Sequence, residues 1–426
     1  MTRATSLTIT GGILLLAVTG YSAAKKPVRR APVTPKVTAA RKSAALEKVA
    51  GYLDESAGEC LSQPGALVPA LEQLFQAASD AHAPMHILHF GDSHTAADEM
   101  TGELRQRLQQ VFGVGGSGFS LADHPFLGYR RFDVRGGGSS GWHTLGLATA
   151  TGDGWFGLGG VSVSAWRAGQ SVFMDAECDK LEVNYLQQPG GGDVGFYIDD
   201  VGIDRFSTDG EMAPGVHVEA VTPGLHRFRL MTLDSRPVRL FGWVADKSTG
   251  VTYEALGING AEAGVMLKWN QDMLATYLQR RNPGLIVLAY GTNEASDSNW
   301  SPAGYEAMFS ELLQRLRAAA PVASILALGP ADRWQRYRGQ WRMVPGIDDI
   351  IQAQKNAVKT NRCAYWDTRE RMGGKGSMRE WVYGGLAQMD YVHFTAEGYH
   401  RLAGALFEDL MRQYEIYKKT RQEADN

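Results

Sequence analysis

The sequence predicts an α/β protein, a three-layer α/β/α domain with a parallel sheet, interrupted by an inserted all-β segment. Apolar strand-like runs alternate with amphipathic helical segments before about residue 125 and again after residue 250. Between these limits short alternating strands are separated by turn residues, and the chain's 50 glycines concentrate there. Because a parallel sheet needs crossover helices, the β-rich stretch is predicted to be an insertion.

The first part of the α/β domain is assigned to residues 43–124. A helical pattern covers about 44–80, and the apolar run 85–90 then enters a glycine turn, which predicts a buried strand. An amphipathic helix is predicted over 96–112, with apolar side chains at 3–4 residue spacing.

The insertion is assigned to residues 125–250. Turn signals occur at 189–193 and at Pro223-Gly224, and they separate strands predicted at 181–186, 194–199, 216–221, 226–232 and 238–245. Short strands at this spacing predict a β-sandwich or a jelly roll.

The second part of the α/β domain is assigned to residues 251–420. Strands are predicted at 251–258, 285–291, 324–329 and 363–367, and helices at 262–280, 303–319, 346–359 and 396–417. This alternation predicts a parallel sheet covered by helices on both faces.

The N-terminus has the pattern of an export signal over residues 1–24. Arg3 precedes a short apolar stretch at 7–19, and small residues at 22–24 offer a cleavage site. The alternative is an uncleaved membrane anchor, because residues 4–24 carry no charge. Residues 25–42 are a basic, Pro-rich linker without acidic residues, either a passive spacer or a segment attracted to anionic lipid or wall polymer.

The composition and the cysteine spacing limit the partners and cofactors that the protein is expected to have. The chain has 426 residues, 44% hydrophobic and 21% charged, with a net charge of −3, so no nucleic-acid partner is expected. Cys60, Cys178 and Cys363 show no C-x-x-C spacing; one disulfide is feasible in an oxidising compartment, without a preferred pair. Neither a metal nor a cofactor is predicted.

Four polar motifs follow the predicted strands or precede the last helix. They are Gly91-Asp92-Ser93-His94, the 257–260 turn GING, the 290–294 turn YGTNE and the 390–393 segment DYVH. In an open parallel sheet ligands bind at the carboxyl ends of the strands, so these motifs are expected to meet there.

The residues of these motifs suit acyl transfer, which needs a nucleophile, a base, a group that orients the base, and oxyanion donors. Ser93 is the candidate nucleophile, His393 the base and Asp390 the orienting carboxylate. The N–H groups of Ser93 and Gly260 and the amide of Asn293 are the candidate oxyanion hole, where one donor typically contributes about 3 kcal/mol.

Each of these residues also has a purely structural interpretation. Ser93 and Asp390 are good helix caps, Asn293 suits a turn, and Gly260 fits a position of positive φ. Asp92 is expected to shape its turn, Asp98 and Glu294 to cap helices or lie in solvent, and His94 is an open case. Aromatic residues of the insertion suit either sugar stacking or the core, and the core is favoured for at least half of them: Trp142, Trp155, Trp166 and Trp243.

Together, the four motifs resemble the blocks of the SGNH (GDSL-like) hydrolase family, which is defined by Ser, Gly, Asn and His. The resemblance covers the α/β parts of the chain and places Ser93, Gly260, Asn293 and His393 in the family's order. It implies a serine esterase. The sequence departs from the common pattern with GDSH in place of GDSL and GTNE in place of GxND, and the block around Gly260 is the loosest.

The stretch HFGDSHTAADEMTGELR, the export signal and the β-rich insertion resemble a narrower group, the periplasmic peptidoglycan O-acetylesterases of Gram-negative bacteria. These carry an insertion similar to a carbohydrate-binding module. The resemblance implies a periplasmic enzyme that removes O-acetyl groups from wall glycan, at the N-acetylmuramic acid, with a possible N-terminal membrane tether.

Three alternatives remain open. The same triad serves an O-acetyltransferase or an exopolysaccharide acetylesterase, because the acyl-enzyme is common to all of them. GDSH and GTNE are also similar to metallophosphoesterase motifs, which need a D-x-H in the preceding strand and a later G-H-x-H; here that strand reads HILHF, and no G-H-x-H occurs. A non-catalytic wall-binding protein is disfavoured because every member of the triad is present.

Overall fold

The computed structural model describes residues 37–79, 83–148, 152–297 and 299–424. The predicted export signal and nearly all of the basic linker lie outside the described residues. Contacts divide the chain into Met1–Thr38 and Ala39–Asn426, and every element named below belongs to the second unit. Within the described part of the chain, no helix has both the length and the apolar character needed to cross a membrane.

The described segments contain ten α-helices, most of them amphipathic. In chain order they are α1 Ala39–Glu55, α2 Val68–Ala78, α3 Ser93–Ala96, α4 Glu99–Phe112, α5 Gln271–Arg281, α6 Pro302–Ala319, α7 Ile347–Thr360, α8 Thr368–Arg371, α9 Met378–Gly384 and α10 Ala396–Ala424.

The strands form three sheets. In chain order they are β1 Leu61–Ser62, β2 Met85–Gly91, β3 Gly116–Leu121, β4 Arg135–Gly138, β5 His143–Leu145, β6 Ser162–Ala165, β7 Ser171–Gln187, β8 Asp193–Ile198, β9 Val201–Ser207, β10 Ala213–Thr232, β11 Val238–Asp246, β12 Val251–Gly257, β13 Leu285–Ala289, β14 Ser324–Leu328, β15 Trp334–Tyr337, β16 Gln340–Met343 and β17 Ala364–Trp366.

A six-stranded sheet in the order β1-β17-β14-β13-β2-β12 forms the centre of the α/β part. All its neighbouring strands run parallel except β1, which is antiparallel to β17. Successive side chains of β2 are buried on opposite faces of the sheet. Ile87 belongs to the core that includes α2, α4 and α10, and Leu88 belongs to the core that includes α5, α6 and α7. The predicted parallel sheet with helices on both faces is confirmed.

The β-rich segment forms a nine-stranded antiparallel network that begins at β3 and ends at β11. Its first strand starts at Gly116, earlier than the predicted boundary at 125. Phe119, Phe156 and Phe241 of this segment share a hydrophobic core with α5–α7, so the β-rich and α/β parts are packed together. Two statements about this segment stay predictions: that it is a β-sandwich or jelly roll, and that it is a carbohydrate-binding insertion with limits at residues 125 and 250.

Most predicted elements are present, with two informative differences. Pro223-Gly224 does not end a strand: β10 runs through it, with a register shift between Ala220 and Gly224 where it pairs with β7. The turn signal therefore marks a β-bulge. The helix predicted over 262–280 is a 3₁₀ turn at 263–268 followed by α5, because the Asn270 side chain caps the N–H of Met273.

The insertion's tryptophans mostly pack inside the protein. Trp243 is fully buried, and Trp142 and Trp155 are half-buried against the cores. Trp166 is 50% exposed and lies beside His143, with ring centroids 5.2 Å apart. The three cysteines are buried free thiols, so none of them forms a disulfide with another.

Candidate active site

The strand order explains why three distant motifs meet. Strand β2 lies between β12 and β13, and its last residue, Gly91, is in register with Gly257 on one side and Ala289 on the other. After β2 the chain next adds β12 on one side of it and later adds β13 on the other side. This change of direction makes a crevice at the carboxyl ends of the three strands. The loops that carry Ser93, Gly260 and Asn293 all begin at this edge.

Ser93 is the first residue of the one-turn helix α3, directly after β2. Asp92 precedes it in a non-helical conformation, and its carboxylate accepts a hydrogen bond of 2.9 Å from the N–H of His94. This hydrogen bond to the fully buried Asp92 shapes the turn, as predicted. The turn leaves the Ser93 hydroxyl half-buried at the edge of the sheet.

The structure brings Ser93, His393 and Asp390 together across 300 residues of sequence. Ser93 Oγ lies 2.9 Å from Nε2 of His393, and Nδ1 of His393 lies 2.8 Å from Oδ2 of Asp390. The other oxygen of Asp390 accepts the backbone N–H groups of Val392 and His393 at 2.9 and 3.0 Å. These bonds fix the carboxylate and align the three side chains as a hydrogen-bonded series.

The electrostatics of His393 and Asp390 follow from these contacts. The hydrogen bond to Asp390 raises the pKa of His393 above its ordinary value, against the opposing effect of burial. Partial burial raises the pKa of Asp390, but the bonds from His393 and from the two backbone N–H groups outweigh it and lower the pKa to about 2. Asp390 is therefore ionised at neutral pH and stabilises the protonated imidazole.

The segment 388–394, called the histidine loop below, is a tight turn held by its own backbone. The N–H of Gln388 donates to the carbonyl of His393 at 2.7 Å, and the N–H of Tyr391 donates back to Gln388. Tyr391 has a φ of 59°, which is uncommon for a non-glycine residue, and its ring is buried. The packing of Tyr391 holds this conformation and presents Asp390 and His393 on one side of the loop.

Asn293 lies close to the serine turn. Its amide nitrogen donates to the carbonyl of Ala261 at 2.9 Å and lies 3.5 Å from Oδ2 of Asp92. Gly260, just before Ala261, is exposed and has a φ of 73°, which explains a glycine at this position. The loops of all three predicted oxyanion donors therefore adjoin one another, and the donor role of each N–H stays a prediction.

Glu294 corrects the expectation that it caps a helix or lies in solvent. It is almost fully buried, and its two oxygens accept the N–H of Ala263 at 2.8 Å and the N–H of Gly291 at 3.0 Å. Burial raises its pKa to about 7. The side chain joins the loop after β12 to the loop after β13, and so fixes Gly260 and Asn293 relative to each other.

Asp98 also differs from the expectation. It occupies the N-cap position of α4, but its carboxylate is fully buried and pairs with Arg105, with the shorter N–O distance 2.7 Å. It also accepts from the hydroxyl of Thr101 and from the N–H of Phe132, a residue of the β-rich segment. Asp98 therefore ties the start of α4 to the chain that follows β3.

His94 lies behind the Ser93–His393 pair. Its Nδ1 is 2.8 Å from the hydroxyl of Tyr399, its ring centroid is 5.1 Å from that of His393, and burial lowers its pKa. Its Nε2 and the hydroxyl of Tyr290 are buried without a hydrogen-bond partner among the described residues. Both side chains line a small, largely apolar cavity of about 50 Å³ that also touches Asp92.

Arg333 is a residue of the site that sequence reasoning missed. Its Nη1 donates to the carbonyl of Thr292, next to Asn293, and its Nε is buried without a partner in the described part of the chain. Burial lowers the pKa of Arg333, whereas the charges of Asp92 and Asp390 raise it. The guanidinium of Arg333 therefore lies between the turn at Ser93 and the histidine loop, and no sequence motif predicts it.

Two residues of the motifs that are similar to those of metallophosphoesterases are hydrogen-bonded to protein groups. Asn293 donates to the carbonyl of Ala261, and His94 bonds to the hydroxyl of Tyr399. Among the described residues, the cluster with metal-ligand spacing is Asp204, His217 and Glu219, in the nine-stranded sheet.

The fold and site define a class, and comparison with known proteins agrees. The model of the GDSL-like lipase/acylhydrolase family matches residues 228–401, a span that contains Gly260, Asn293, Asp390 and His393 but not Ser93. The chain is a carboxylic ester hydrolase, and the resemblance of its motifs to this family is confirmed by the match.

Among solved structures, the chain is similar to a peptidoglycan O-acetylesterase. The two are 27% identical, the match covers 82% of this chain and 96% of the other, and the TM-score is 0.71. Family two carbohydrate esterases also match: the Clostridium thermocellum enzyme is 12% identical over 59% of this chain and 94% of its own, with a TM-score of 0.30. The Cellvibrio japonicus enzyme is 11% identical over 66% and 98%, with a TM-score of 0.29. No curated protein matches the sequence.

Proposed function

We propose that Ser93, His393 and Asp390 are the catalytic triad of an acetylesterase that acts through an acetyl-enzyme. The observation that carries this proposal is the hydrogen-bonded series from Ser93 Oγ to Nε2 of His393, at 2.9 Å, and from Nδ1 to Asp390, at 2.8 Å. Each neighbouring pair has the geometry that a nucleophile, base and orienting carboxylate require.

The mechanism follows from this order. His393 removes the proton of Ser93 as Oγ attacks the acetyl carbonyl, and Asp390 stabilises the imidazolium that forms. His393 then gives this proton to the sugar oxygen as its bond to the acetyl carbon breaks, and the sugar leaves with a free hydroxyl. Water enters, loses a proton to His393 and attacks the acetyl-enzyme, which releases acetate and restores the Ser93 hydroxyl.

The developing negative charge on the carbonyl oxygen needs nearby donors. The N–H groups of Ser93 and Gly260 and the amide of Asn293 are assigned to this oxyanion hole. Their loops meet at one edge of the sheet, and Glu294 holds two of those loops together. Donors held in place before the reaction starts stabilise the transition state without a cost of reorganisation, and the contacts between these loops support that role.

The substitution Ser93→Ala tests the triad. It is expected to abolish acetate release from an activated acetyl ester, while the circular dichroism spectrum and melting temperature stay those of the native protein. Ser235→Ala, an exposed serine in the turn before β11, is the matched control and should retain full activity. A folded Ser93→Ala protein that hydrolyses the ester at the native rate would refute the assignment.

We infer that the substrate is an O-acetylated wall glycan, with peptidoglycan acetylated on N-acetylmuramic acid as the first candidate. Support comes from the similarity to a peptidoglycan O-acetylesterase over 96% of that chain, and from the predicted export signal, which would deliver this enzyme to the periplasm. On this proposal the β-rich segment contributes carbohydrate contacts, and Trp166 is its most exposed tryptophan.

Acetate release from three acetylated polymers tests the substrate. Purified enzyme is incubated with O-acetylated peptidoglycan, acetylated xylan and acetylated alginate at equal ester concentration, with Ser93→Ala as the blank. Faster release from peptidoglycan is expected. Release from xylan or alginate but not from peptidoglycan would favour the exopolysaccharide alternative, and transfer of acetyl to an added glycan in place of water would favour the transferase.

A further inference from the structure

Residues 333–343, called the arginine hairpin below, form a two-stranded unit that no sequence motif predicted. Strand β15 pairs with β16 in antiparallel register, with Trp334 opposite Met343 and Arg336 opposite Trp341. The two strands connect through Arg338 and Gly339, which both have positive φ. The pair is a sheet of its own and extends no other sheet among the described residues.

The hairpin is anchored on the histidine loop. The ring of Tyr391 lies 4.6 Å from that of Trp341 and 6.0 Å from that of Trp334, measured between centroids. The N–H of Trp334 also donates to the carbonyl of Tyr391 at 3.1 Å. Because Tyr391 lies between Asp390 and His393, whatever binds the hairpin is held next to the proposed catalytic residues.

The register divides the hairpin into two faces. Residues that are directly opposite share a face, and so do residues two apart, so Arg336 lies on the face of the two tryptophans that contact Tyr391. Arg342 lies on the other face. Its guanidinium and that of Arg338 are 5.4 and 5.3 Å from the ring centroid of Tyr337.

The hairpin carries positive charge without compensation. No acidic residue occurs from 333 to 347, whereas arginine occurs at four positions of the hairpin. Arg336, Arg338 and Arg342 are exposed, and none of them has an ion-pair partner among the described carboxylates. The nearest acidic residues in the sequence are engaged elsewhere, Asp332 with the N–H of Met378 and Asp348 with Arg369 and Lys375.

We propose that the arginine hairpin binds carboxylate groups of the acetylated polymer and thereby holds its ester at Ser93. The proposal rests on the proposed esterase function and narrows its substrate to an anionic glycan, one with carboxylates on substituents beside the acetylated sugar. A guanidinium matches a carboxylate in shape and charge, and the exposed ring of Tyr337 between the arginines suits the face of a sugar. A neutral acetylated polysaccharide would gain nothing from three unpaired arginines.

The test compares two triple variants that remove the same charge. Arg336→Gln/Arg338→Gln/Arg342→Gln changes the hairpin, and Lys359→Gln/Arg412→Gln/Lys419→Gln changes three exposed cations on helices α7 and α10. Acetate release is measured on soluble peptide-bearing acetylated peptidoglycan fragments, on the same fragments after carbodiimide-coupled amidation of their carboxylates, and on p-nitrophenyl acetate, with Ser93→Ala as the blank.

The hairpin variant is expected to lose roughly tenfold in kcat/KM on the carboxylate-bearing fragments at low salt, since it lacks the three exposed ion pairs that the arginines would form with carboxylates of the substrate. Its kcat/KM on p-nitrophenyl acetate should stay within about twofold of the native value, and the difference should vanish on the amidated fragments and in about 1 M salt.

Two results would overturn the proposal. One is an equal loss for both triple variants on the carboxylate-bearing fragments. The other is an equal loss on the fragments and on p-nitrophenyl acetate, which would mean that the hairpin only supports the histidine loop. Failure of the esterase function itself is separate, because it would appear as native activity of Ser93→Ala on p-nitrophenyl acetate.

Discussion

Replacing Asp390 by asparagine is expected to damage the enzyme more than replacing it by alanine. The reason lies in the two oxygens of Asp390: one accepts the N–H groups of Val392 and His393, and the other accepts Nδ1–H of His393. In Asp390→Asn the amide oxygen stays with the two backbone donors, because the opposite orientation sets an NH₂ group against both of them. The NH₂ group then faces Nδ1.

This orientation selects the wrong tautomer of His393. An NH₂ donor requires Nδ1 to be unprotonated, so the proton moves to Nε2, which then donates to Ser93 Oγ and no longer accepts its proton. In Asp390→Ala nothing opposes Nδ1–H, and water can accept it. In the serine proteases the equivalent asparagine substitution lowers kcat about 10⁴-fold. Since the side chains of His393 and Asp390 are 36% and 44% exposed, solvent moderates the penalty, and we expect a loss of roughly 10²–10³-fold.

The assay is kcat on p-nitrophenyl acetate at saturating substrate, with melting temperatures to show that each variant is folded. Asp390→Asn should be at least about fivefold slower than Asp390→Ala, which corresponds to roughly 1 kcal/mol in the barrier. A folded Asp390→Asn enzyme that is as fast as Asp390→Ala would show that the backbone donors do not fix the amide, and the tautomer argument would fail.

Two further predictions follow from the pKa shifts and the buried charges. On the proposed mechanism neutral His393 is the base, and Asp390 raises its pKa. The value of kcat/KM should therefore fall with acidification through a pKa above 6.5, and Asp390→Ala should move this limb to lower pH. A profile of kcat/KM against pH checks both statements; an unmoved limb would contradict them. Asp98→Ala leaves the buried Arg105 with Asp133, at 3.2 Å, as its remaining ion-pair partner and should lower the free energy of unfolding by about 2–3 kcal/mol in urea titrations. The control Glu103→Ala, which removes a helix-surface ion pair, should cost less than about 1 kcal/mol, and equal losses would refute the reasoning.

The sequence predicted those parts of the site that follow from local pattern. Strand-like runs that end in polar residues placed Ser93 and Asn293 at the carboxyl edge of a parallel sheet, and the structure has them there. Topology does the rest, because β2 lies between the two strands that carry the other motifs. Strand ends can be read from hydrophobic periodicity, and parallel sheets put them on one edge.

The parts that sequence reasoning missed depend on tertiary contacts. The sequence predicts that Glu294 caps a helix or lies in solvent, because a charged residue in a turn is usually exposed, yet it is buried by loops that come from two different strands. The arginine hairpin follows β14 and has a polar, mixed pattern typical of a surface loop. Residues distant in sequence define where that hairpin packs: the ring of Tyr391, some 50 residues later, contacts its two tryptophans, and the carbonyl of Thr292 accepts a hydrogen bond from Arg333.

The β-rich segment separates Ser93 from the other site residues in sequence, yet it leaves the sheet intact. Its two ends meet at one corner, where the N–H of Gly115 donates to the carbonyl of Val251 and the N–H of Val251 donates to the carbonyl of Gly113. Val251 then starts β12 in register with the first residue of β2. The segment therefore enters and leaves at the amino ends of these strands, at the edge opposite the catalytic one.

Part of the segment nevertheless reaches the catalytic edge. The N–H of Arg130 donates to the carbonyl of Ala96, just after the serine turn, and the amide of Asn259 donates to the carbonyl of Leu127. Leu127 itself is 98% exposed. The loop that carries these residues thus touches both the Ser93 and the Gly260 sides of the crevice. An insertion that is anchored at one edge and contacts the other can shape access to Ser93 without disturbing the parallel register that positions it.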